Sequence, residues 1–529
     1  MKVRSFVEGA GIAILLLADH LWPILSPHHT IVYHDPLSLS MIAGGIAIDV
    51  ALATLLFTIV LALQDRYRPQ QTGLVWAAVL AVVVAKAVDF TLFLLKVYHA
   101  SFRWTVTMRV CLLFVALGAG LFLSRFFPPA LRGSVKAARV GLAMFGCCIF
   151  WVLPQLAITA LRTHAPAVDA FNRSVQRPSP SSDRIVWILL DELSYDQVFD
   201  HPQSDVKLPH FDRLKNESVV FADVQPEGYY TERILPALFL GRKIDNIRSS
   251  WQRDLYIHDG ATSRWMPFNQ QASIFGAAQQ SGWTTGVAGW YNPYCHILQN
   301  VLDSCYWQYI FTPFPPELPG RKPTLVDALV FPFGSVLSHF KVAPSPAELE
   351  VQAHTQEYKD LVVAADALIR NESIRFVFLH LPVPHPPGIY DRKTNTLGVR
   401  GTYLDNLVLA DKTLGSLLDA IQRTAAASRT TVIISSDHSW RVNMWRSDPS
   451  WTKEEERASG GRFDTRPVLL IHFPGSDAGE LRTEKFPELG TNGIIRAMLQ
   501  GELHSQADLD AWLSKHEGFP SQNLALKHR

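Results

Sequence analysis

The chain has 529 residues, which is long enough for more than one folding unit. Its 49 Lys and Arg residues nearly balance its 48 Asp and Glu residues, and the formal net charge is +1 at pH 7. This balance gives no electrostatic basis for contact with a polyanion, so no nucleic-acid partner is expected. Residues 1–165 are dominated by apolar stretches, whereas the remainder has the composition of a soluble α/β domain.

Five apolar stretches near the N-terminus are each long enough to cross a bilayer, which requires about 20 residues. They cover residues 5–25, 39–63, 74–98, 105–124 and 140–162. The first has no small-residue cleavage site and is soon followed by others, so we interpret it as a retained span. The pattern predicts a five-helix transmembrane domain over 1–165.

Basic residues predict the orientation of these spans. Lys and Arg residues cluster before the first span, between the second and third, and between the fourth and fifth. The opposite loops, 26–38 and 99–104, contain only Arg103. Because basic loops stay in the cytoplasm, the N-terminus is predicted to lie inside, and five crossings place the residues after 165 outside.

Several ionisable residues interrupt the spans, namely Glu8, Asp19, Asp49, Lys86 and Asp89. Charges inside a membrane are costly and commonly functional, which favours a polar groove for a lipid head group. The alternative is mutual pairing inside the bundle, for example between Lys86 and Asp89, which are one helical turn apart. The sequence leaves both interpretations open.

Two of the five cysteines, Cys295 and Cys305, lie in the outer part of the chain, in the segment YCHILQNVLDSC. In an oxidising compartment such a pair favours a disulfide that closes a short loop. Two free buried thiols are the alternative.

The outer part begins with a linker at 166–184, which is rich in Pro, Ser and other polar residues. Short, continuously apolar runs then recur, as is typical of strands buried on both faces of a parallel sheet. They are Ile185–Leu190, 374–381, 430–438 and 466–473, and helical patterns such as 403–422 lie between them. This alternation predicts a doubly wound, mostly parallel α/β domain over 185–529.

Three of the predicted strands end in side chains that can bind metal or exchange protons, at the sheet edge where such folds bind ligands. These side chains are Asp191 and Glu192 after the first strand, His380 and His385 after the second, and Asp437 and His438 after the third. Each one alone has a simpler explanation, such as a helix cap or a satisfied core histidine. Together, Asp191, Asp437 and His438, with Glu192 as a further candidate, predict an oxygen-rich site for a divalent cation.

The segment YYTERILPALFLGR, residues 229–242, places Thr231 directly before an apolar helical run. Thr231 could simply cap this helix. It could instead be a nucleophile, because a divalent cation lowers the pKa of a hydroxyl that it coordinates. A cap alone leaves the carboxylates at the strand ends unexplained, so we favour the nucleophile.

The order of these segments resembles the alkaline-phosphatase superfamily, in its sulfatase-like branch. RIVWILLDE resembles the first metal-binding strand, TERILPALFLGR resembles the nucleophile segment with Thr231 in the nucleophile position, and TTVIISSDHS resembles the second metal-binding segment. LPHFDRLKNESVVFADV, FLHLPVPHPP, RPVLLIHFPG and LGTNGIIRAMLQGE also have counterparts in that family. The resemblance covers most of residues 185–502 and implies an alkaline-phosphatase-like fold.

A bundle of spans followed by an outward domain with a threonine nucleophile is similar to bacterial phosphoethanolamine transferases and lipoteichoic-acid synthases. The resemblance implies transfer of a phospho-head group from a membrane phospholipid to an envelope glycan or lipid, on the periplasmic side of the inner membrane. Thr231 would form a phospho-threonine, and His385 would bind phosphate or protonate the leaving alkoxide. His380, Arg233 and Arg441 are further candidates for substrate binding.

The sequence departs from the family pattern after His438, where Ser439 replaces the usual Gly and Trp440 and Arg441 follow. The first strand ends in Asp-Glu, so Glu192 is either a ligand or a bystander. No further His follows soon after His438, so one metal ion fits the ligand set better than two zinc ions. Mn²⁺ is favoured for that ion, with Zn²⁺, Mg²⁺ and Ca²⁺ as alternatives.

Two other functions remain open at this stage. A hydrolase of the same fold, either a phosphodiesterase or a sulfatase, would use water to resolve the covalent intermediate. A non-catalytic envelope scaffold would keep the fold without the chemistry, and the unusual SSDHSWR loop motivates this alternative. The retained Asp191, Thr231, Asp437 and His438 argue against it.

Overall fold

A computed structural model describes most of the chain. The described residues are 3–25, 39–67, 125–161, 170–174, 183–249, 254–308, 324–333, 346–448, 450–476 and 478–516, with single positions and short pieces between 76 and 122. They form two compact units. The first contains the described residues up to 161, those at 324–333 and Pro346, and the second contains the others.

The first unit is helical in the part that is described. Its helices include α1 (Val3–Leu16), α2 (Ala18–Leu25), α3 (Leu39–Tyr67), α4 (Pro128–Gly146) and α5 (Ile149–Leu161). Two stretches of described helix, Ser40–Arg66 and Gly133–Leu161, are long and apolar enough to cross a membrane. The predicted spans at 74–98 and 105–124 lie mostly outside the described residues, so the five-helix bundle is not confirmed.

Ionisable side chains of the first unit pair with one another. The fully buried Glu8 accepts hydrogen bonds from the Arg139 guanidinium at 2.8 and 2.9 Å. Lys86 lies 2.9 Å from Asp19. Asp89, the partner that the sequence suggested for Lys86, lies outside the described residues. Of the two interpretations that the sequence left open, pairing is the one that applies to Glu8 and Lys86.

The second unit is built on a nine-stranded mixed sheet. Its strands are β1 (Ala170–Asn172), β2 (Arg184–Leu190), β3 (Val219–Gln225), β7 (Thr285–Trp290), β8 (Ser304–Gln308), β9 (Phe376–Leu381), β12 (Thr430–Ser435), β13 (Leu469–His472) and β14 (Glu480–Pro487). Two smaller sheets consist of β4 (Ile244–Ser249), β5 (Leu255–Asp259) and β6 (Arg264–Pro267), and of β10 (Gly388–Asp391) and β11 (Thr396–Gly401).

The strand order in the large sheet is β1-β8-β7-β9-β2-β12-β13-β3-β14. Five adjacent strands in this order, β8, β7, β9, β2 and β12, are parallel to one another. The strands β1 and β13 run antiparallel to their neighbours. The predicted α/β domain is confirmed, with a parallel centre and a mixed sheet overall. β13 is antiparallel because the chain after β12 stays at the carboxyl edge of the sheet and re-enters from there.

Helices cover both faces of this sheet. Those of the second unit are α6 (Pro209–Glu217), α7 (Thr231–Leu240), α8 (Ile274–Gln280), α9 (Tyr294–Ile297), α11 (Pro346–Arg370), α12 (Tyr403–Gln422), α13 (Val442–Trp445), α14 (Lys453–Ser459), α15 (Gly490–Leu499) and α16 (Gln506–Lys515); α10 (Leu325–Val330) belongs to the first unit. β2 supplies alternate residues to two cores, with Trp187 on one face and Ile188 on the other. Burial on both faces explains why its sequence is continuously apolar.

The predicted disulfide between Cys295 and Cys305 is confirmed, with Cα atoms 5.5 Å apart. It joins α9 to β8 at one side of the large sheet. Both cysteines are buried in the core cluster that includes Trp187.

We expect Trp187→Ala to lower the free energy of unfolding by about 3–5 kcal/mol. The Trp187 ring is buried on the central strand, packs against Phe378 with ring centroids 4.6 Å apart, and donates from Nε1 to Ser435 Oγ at 2.7 Å. Denaturant unfolding of the full chain in detergent measures the change. Val399→Ala, at a position that is 38% exposed, is the control and should change it by less than about 0.5 kcal/mol. Equal effects of the two substitutions would contradict the packing described for β2.

Candidate functional site

Two carboxylates and an imidazole meet at the carboxyl edge of the large sheet. β2 and β12 are paired neighbours up to Leu189 and Ser435, so Asp191 and Asp437 follow at the same level. His438 comes next, and its Nε2 lies 3.2 Å from Asp437 Oδ2 and 3.8 Å from Asp191 Oδ1. The possible ligand atoms of these three residues lie within 4.8 Å of one another.

Thr231 joins this cluster from the first position of α7. Its Oγ1 donates to Asp437 Oδ2 at 2.6 Å and lies 3.4 Å from Asp191 Oδ2 and 3.3 Å from His438 Nε2. The residue in the cap position is Tyr230, so the Thr231 hydroxyl faces the strand ends instead of capping its own helix. The structure thus brings together Asp191, Thr231, Asp437 and His438.

The cluster fits one divalent cation. Asp191 Oδ1 is buried and has no hydrogen-bond partner in the described part of the chain. His438 donates from Nδ1 to the Ser439 carbonyl at 3.0 Å, which leaves the lone pair on Nε2 facing the carboxylates. A free carboxylate oxygen, a second carboxylate and an imidazole lone pair form a donor set that a divalent cation satisfies.

His380 contacts the Asp191 carboxylate of this cluster. It is completely buried in β9, with Nε2 3.1 Å from Asp191 Oδ2 and Nδ1 2.7 Å from the Tyr294 hydroxyl. Tyr294 O–H donates to Nδ1, and Nε2–H donates to the carboxylate. His380 therefore orients Asp191, and its burial does not fit the substrate-binding role that the sequence suggested.

Burial sets the protonation of these groups. Burial, followed by the nearby charge of Asp437, raises the pKa of the Asp191 carboxyl well above its ordinary value. Burial lowers the pKa of His438 to about 3 and that of His380 to about 4, so both imidazoles are neutral near pH 7. A cation between the carboxylates would remove the like-charge repulsion that raises the Asp191 pKa.

Glu192 points away from the cluster and binds Arg441. Its Oε1 accepts from the Arg441 backbone N–H at 2.7 Å and from Trp445 Nε1 at 2.6 Å, and its Oε2 accepts from Arg441 Nη2 at 3.1 Å. Glu192 has a φ of 67°, a left-handed conformation that turns the two consecutive carboxylates to different sides. Glu192 is therefore the counter-ion of Arg441 and not a member of the cation cluster.

The Arg441 guanidinium lies among a second group of residues that could bind a metal ion. Asp191, Glu192 and His385 bring possible ligand atoms within 4.8 Å of one another. The Arg441 guanidinium bonds both Glu192 Oε2 and His385 Nε2, the latter at 2.9 Å. A positive charge is already fixed there, so the residues fit one cation rather than two.

The unusual loop after His438 is held in place by stacked aromatic rings. Trp440 is buried and stacks on Tyr403 with ring centroids 4.2 Å apart and on Trp451 at 5.2 Å. Ser439 Oγ donates to Ser194 Oγ at 3.1 Å. These contacts fix the backbone on both sides of His438 and direct Arg441 toward Glu192.

A cavity of about 350 Å³ opens beside Thr231. Its lining is aromatic and polar and comprises Tyr230, Thr231, Glu232, Trp290, Tyr291, Glu350, His354, His385, Pro386, Pro387, Arg441, Met444 and Trp445. A hydroxyl at one end and a guanidinium in the wall suit an anionic group such as a phosphoryl or sulfuryl ester.

His385 lines this cavity, but both of its ring nitrogens are engaged. Nε2 accepts from Arg441 Nη2, and Nδ1 donates to the Pro386 carbonyl. Burial, with the charge of Arg441 next, lowers the pKa of His385 well below its ordinary value. A neutral imidazole without an available proton does not fit the predicted role of protonating a leaving alkoxide.

Arg233 does not reach the cavity. Its guanidinium donates to the Asp245 carbonyl at 3.2 Å and lies over the Tyr230 ring, 5.0 Å from the centroid. On α7 the side chain of Arg233 points to the opposite side from Thr231, because the two residues are separated by about 200° around the helix axis. The structure does not place it where it could bind substrate at Thr231.

The sequence profile of the sulfatase family matches residues 183–486, which is more than half of the chain. The chain belongs to the sulfatase family. It is an enzyme of the sulfatase-like type, as the resemblance of its segments predicted. A comparison with curated protein sequences found no match.

Solved structures with similarity to this sulfatase-family chain include three proteins of low identity. A sulfatase from Pseudoalteromonas sp. is 13% identical, with a TM-score of 0.43 over 60% of this chain and 68% of its own. A phosphonate monoester hydrolase of Agrobacterium radiobacter is 14% identical, with a TM-score of 0.35 over 60% of this chain and 74% of its own. Murine ectonucleotide pyrophosphatase/phosphodiesterase 5 is 11% identical, with a TM-score of 0.34 over 61% of this chain and 96% of its own.

Several residues of the site were not found from the sequence. Trp290, Tyr291 and Trp445 line the cavity, and His354 lies among them. A His at 354 with a Glu three residues later on one helix could have drawn attention to this pair. Nothing in the sequence tells which helix face meets the cavity.

We expect Asp191→Asn and Asp437→Asn to weaken binding of a divalent cation by about a hundredfold or more, because altered outer partners of a metal already cost about 10–100-fold. Equilibrium dialysis followed by elemental analysis measures the bound ion. Asp411→Asn is the matched control, since Asp411 is also buried but accepts backbone N–H groups of His210 and Phe211. Full retention of the ion by Asp191→Asn would contradict the assigned cluster.

We expect Glu192→Gln to keep the bound ion but to destabilise the fold by about 3–5 kcal/mol, because Arg441 loses its buried counter-charge. Adding Arg441→Met to Glu192→Gln should restore much of that loss. Metal content and denaturant unfolding of the two variants test this. Loss of the ion from Glu192→Gln would instead make Glu192 a metal ligand.

Proposed function

We propose that this sulfatase-family enzyme is a membrane-anchored phosphotransferase that uses Thr231 as its nucleophile. It moves a phospho-head group from a membrane phospholipid to an envelope glycan or lipid through a phospho-threonine intermediate. The observation that supports this most is the position of Thr231 Oγ1, 2.6 Å from Asp437 Oδ2 and in contact range of Asp191 and His438.

The identity of the nucleophile favours phosphoryl over sulfuryl chemistry. In the sulfatases that the sequence resembles, a Cys or Ser is oxidised to an aldehyde, whose hydrate attacks sulfate. Oxidation of a threonine gives a ketone because of its extra methyl group, so Thr231 cannot form that aldehyde. An unmodified hydroxyl attacks a phosphoryl group directly, which leaves a covalent phospho-threonine.

The first half of the reaction follows from the contacts of Thr231. Its Oγ1, which donates to Asp437 Oδ2 at 2.6 Å, loses its proton to water and forms a bond to phosphorus while the bond between phosphorus and the donor alcohol breaks. A divalent cation held by Asp191, Asp437 and His438 would lower the pKa of this hydroxyl and offset the charge of the phosphate. We propose a single ion, with Mn²⁺ as the first choice for oxygen and imidazole ligands.

Two fixed positive features assist an anionic substrate. Thr231 stands at the N-terminus of α7, where backbone N–H groups and the helix dipole favour negative charge. The Arg441 guanidinium lies in the cavity wall, and its pairing with Glu192 overcomes the effect of burial and raises its pKa. It is therefore always charged and can hydrogen-bond phosphoryl oxygens as they gain charge.

We propose that residues 1–165 form a five-span anchor in the bacterial inner membrane, that 166–184 link it to the enzyme, and that 185–529 act on the periplasmic side. The two apolar helical stretches Ser40–Arg66 and Gly133–Leu161 support an anchor. The disulfide between Cys295 and Cys305 supports an oxidising compartment.

The decisive experiment is mass spectrometry of the full chain after incubation with phospholipid and Mn²⁺. We expect a phospho-adduct on Thr231 and none in Thr231→Ala, whose turnover should fall by about a thousandfold or more. Thr231→Ser, which keeps the hydroxyl, should retain the adduct. An unmodified Thr231 in a chain that turns over would contradict the proposal.

The same incubation separates transfer from hydrolysis. The phospholipid donor carries a label on its head group. When an extract of envelope glycan or lipid is present, we expect the label to appear on the acceptor. When the extract is absent, the adduct on Thr231 should persist. Rapid release of free head group in the absence of any acceptor would identify a hydrolase instead.

A further inference from the structure

The cavity contains a second imidazole, His354, that none of the roles above uses. It belongs to α11, and the side chain is 3% exposed. Its ring lies against Trp290 and His385, with centroid distances of 5.3 and 6.3 Å. His354 thus lines the same cavity as Thr231 but is not among the groups that contact the Thr231 hydroxyl.

The two ring nitrogens of His354 have different surroundings. Nδ1 lies 3.5 Å from Glu357 Oε2, one helical turn along α11, and Trp290 Nε1 donates to the same oxygen at 3.0 Å. Nε2 is buried and has no hydrogen-bond partner among the described residues. An unsatisfied buried polar atom destabilises a fold, and a native chain tolerates it where a ligand supplies the missing partner.

This arrangement is the one required of a group that exchanges protons with a substrate. A carboxylate 3.5 Å from Nδ1 favours a hydrogen on that nitrogen, and the open Nε2 can then exchange a proton with a substrate. His385 lacks such a free nitrogen because Arg441 and the Pro386 carbonyl occupy both of its positions. His354 is therefore the imidazole of this cavity that has an open position.

We propose that His354 is a catalytic residue that exchanges a proton with the alcohol oxygens of donor and acceptor, and that Glu357 is its positioning residue. This inference rests on the proposed phosphotransfer function. In the first half of the reaction, Thr231 Oγ1 releases its proton to water and bonds to phosphorus. The donor alcohol leaves phosphorus and takes a proton from His354 Nε2.

The second half returns both protons. The acceptor hydroxyl bonds to phosphorus while the Thr231 Oγ1–phosphorus bond breaks, and the acceptor proton passes to His354 Nε2. Thr231 takes up a proton from water. The enzyme ends in its starting protonation state, and no oxidant, reductant or further reactant is needed.

The test compares two donors that differ in how much their leaving oxygen needs a proton. One is phosphatidylethanolamine in detergent micelles, which releases an alkyl alcohol; the other is the 4-nitrophenyl ester of phosphoethanolamine, which releases a stable phenolate. For His354→Gln in the full chain with its cation, we expect adduct formation on Thr231 to slow by about 10²–10⁴-fold with the lipid. With the nitrophenyl ester it should slow by less than about tenfold.

Glu357→Gln should show a smaller loss with the same preference, because it only orients His354. This variant provides a second route should His354→Gln fold poorly. His472→Gln is the matched control, since His472 lies on β13 and its Nδ1 contacts the Glu217 carbonyl away from the cavity. It should leave both rates unchanged.

Equal slowing of both donors by His354→Gln would assign His354 a packing role and overturn the inference. No slowing of either donor would overturn it as well. In both cases the wild-type adduct on Thr231 would leave the proposed function intact. A wild-type chain that forms no adduct with either donor would remove the proposed function, and the role of His354 with it.

Discussion

The site depends on placing two carboxylates next to each other in the interior of the protein. Asp191 and Asp437 follow neighbouring parallel strands whose register brings them to one level. Two adjacent buried negative charges repel each other and cannot both persist without a compensating positive charge. The neutral imidazoles of His380 and His438, the Thr231 hydroxyl and the N-terminus of α7 are arranged around that requirement.

The loop after His438 shows how this chain departs from the pattern of its family without losing the site. A bulky Trp440 follows the Ser that replaces the usual glycine, and its ring is accommodated by stacking between Tyr403 and Trp451. The same loop carries Arg441 to Glu192. What reads in the sequence as a degenerate metal segment is, in the structure, a rigid support for a buried arginine. The scaffold interpretation therefore loses its main motivation.

The sequence was most informative where local pattern and three-dimensional position coincide. Continuously apolar runs predicted the buried strands, because a strand that packs on both faces has no face exposed to solvent. The residues directly after β2 and β12 could be assigned to one edge, because parallel strands end together. The orientation of β13 could not be predicted, since it depends on where its connection runs and not on its own residues.

Side-chain direction is what the sequence could not supply. Asp191 and Glu192 are consecutive acidic residues, yet a left-handed backbone at Glu192 sends one to the cation cluster and the other to Arg441. Arg233 is two residues from Thr231, which on a helix means nearly opposite sides. His354 comes from a distant helix whose amphipathic pattern identifies a buried face but not its neighbour. Such distinctions arise from tertiary packing.

The arginine beside the cation cluster has a consequence for how the enzyme meets changes in its surroundings. A bound ion exchanges with solution and is lost when trace elements are scarce or when a competing chelator is secreted. A guanidinium is covalently part of the chain and holds its charge at any physiological acidity. With one divalent cation bound, the cavity would carry three positive charges, and the one on Arg441 is independent of nutrient supply.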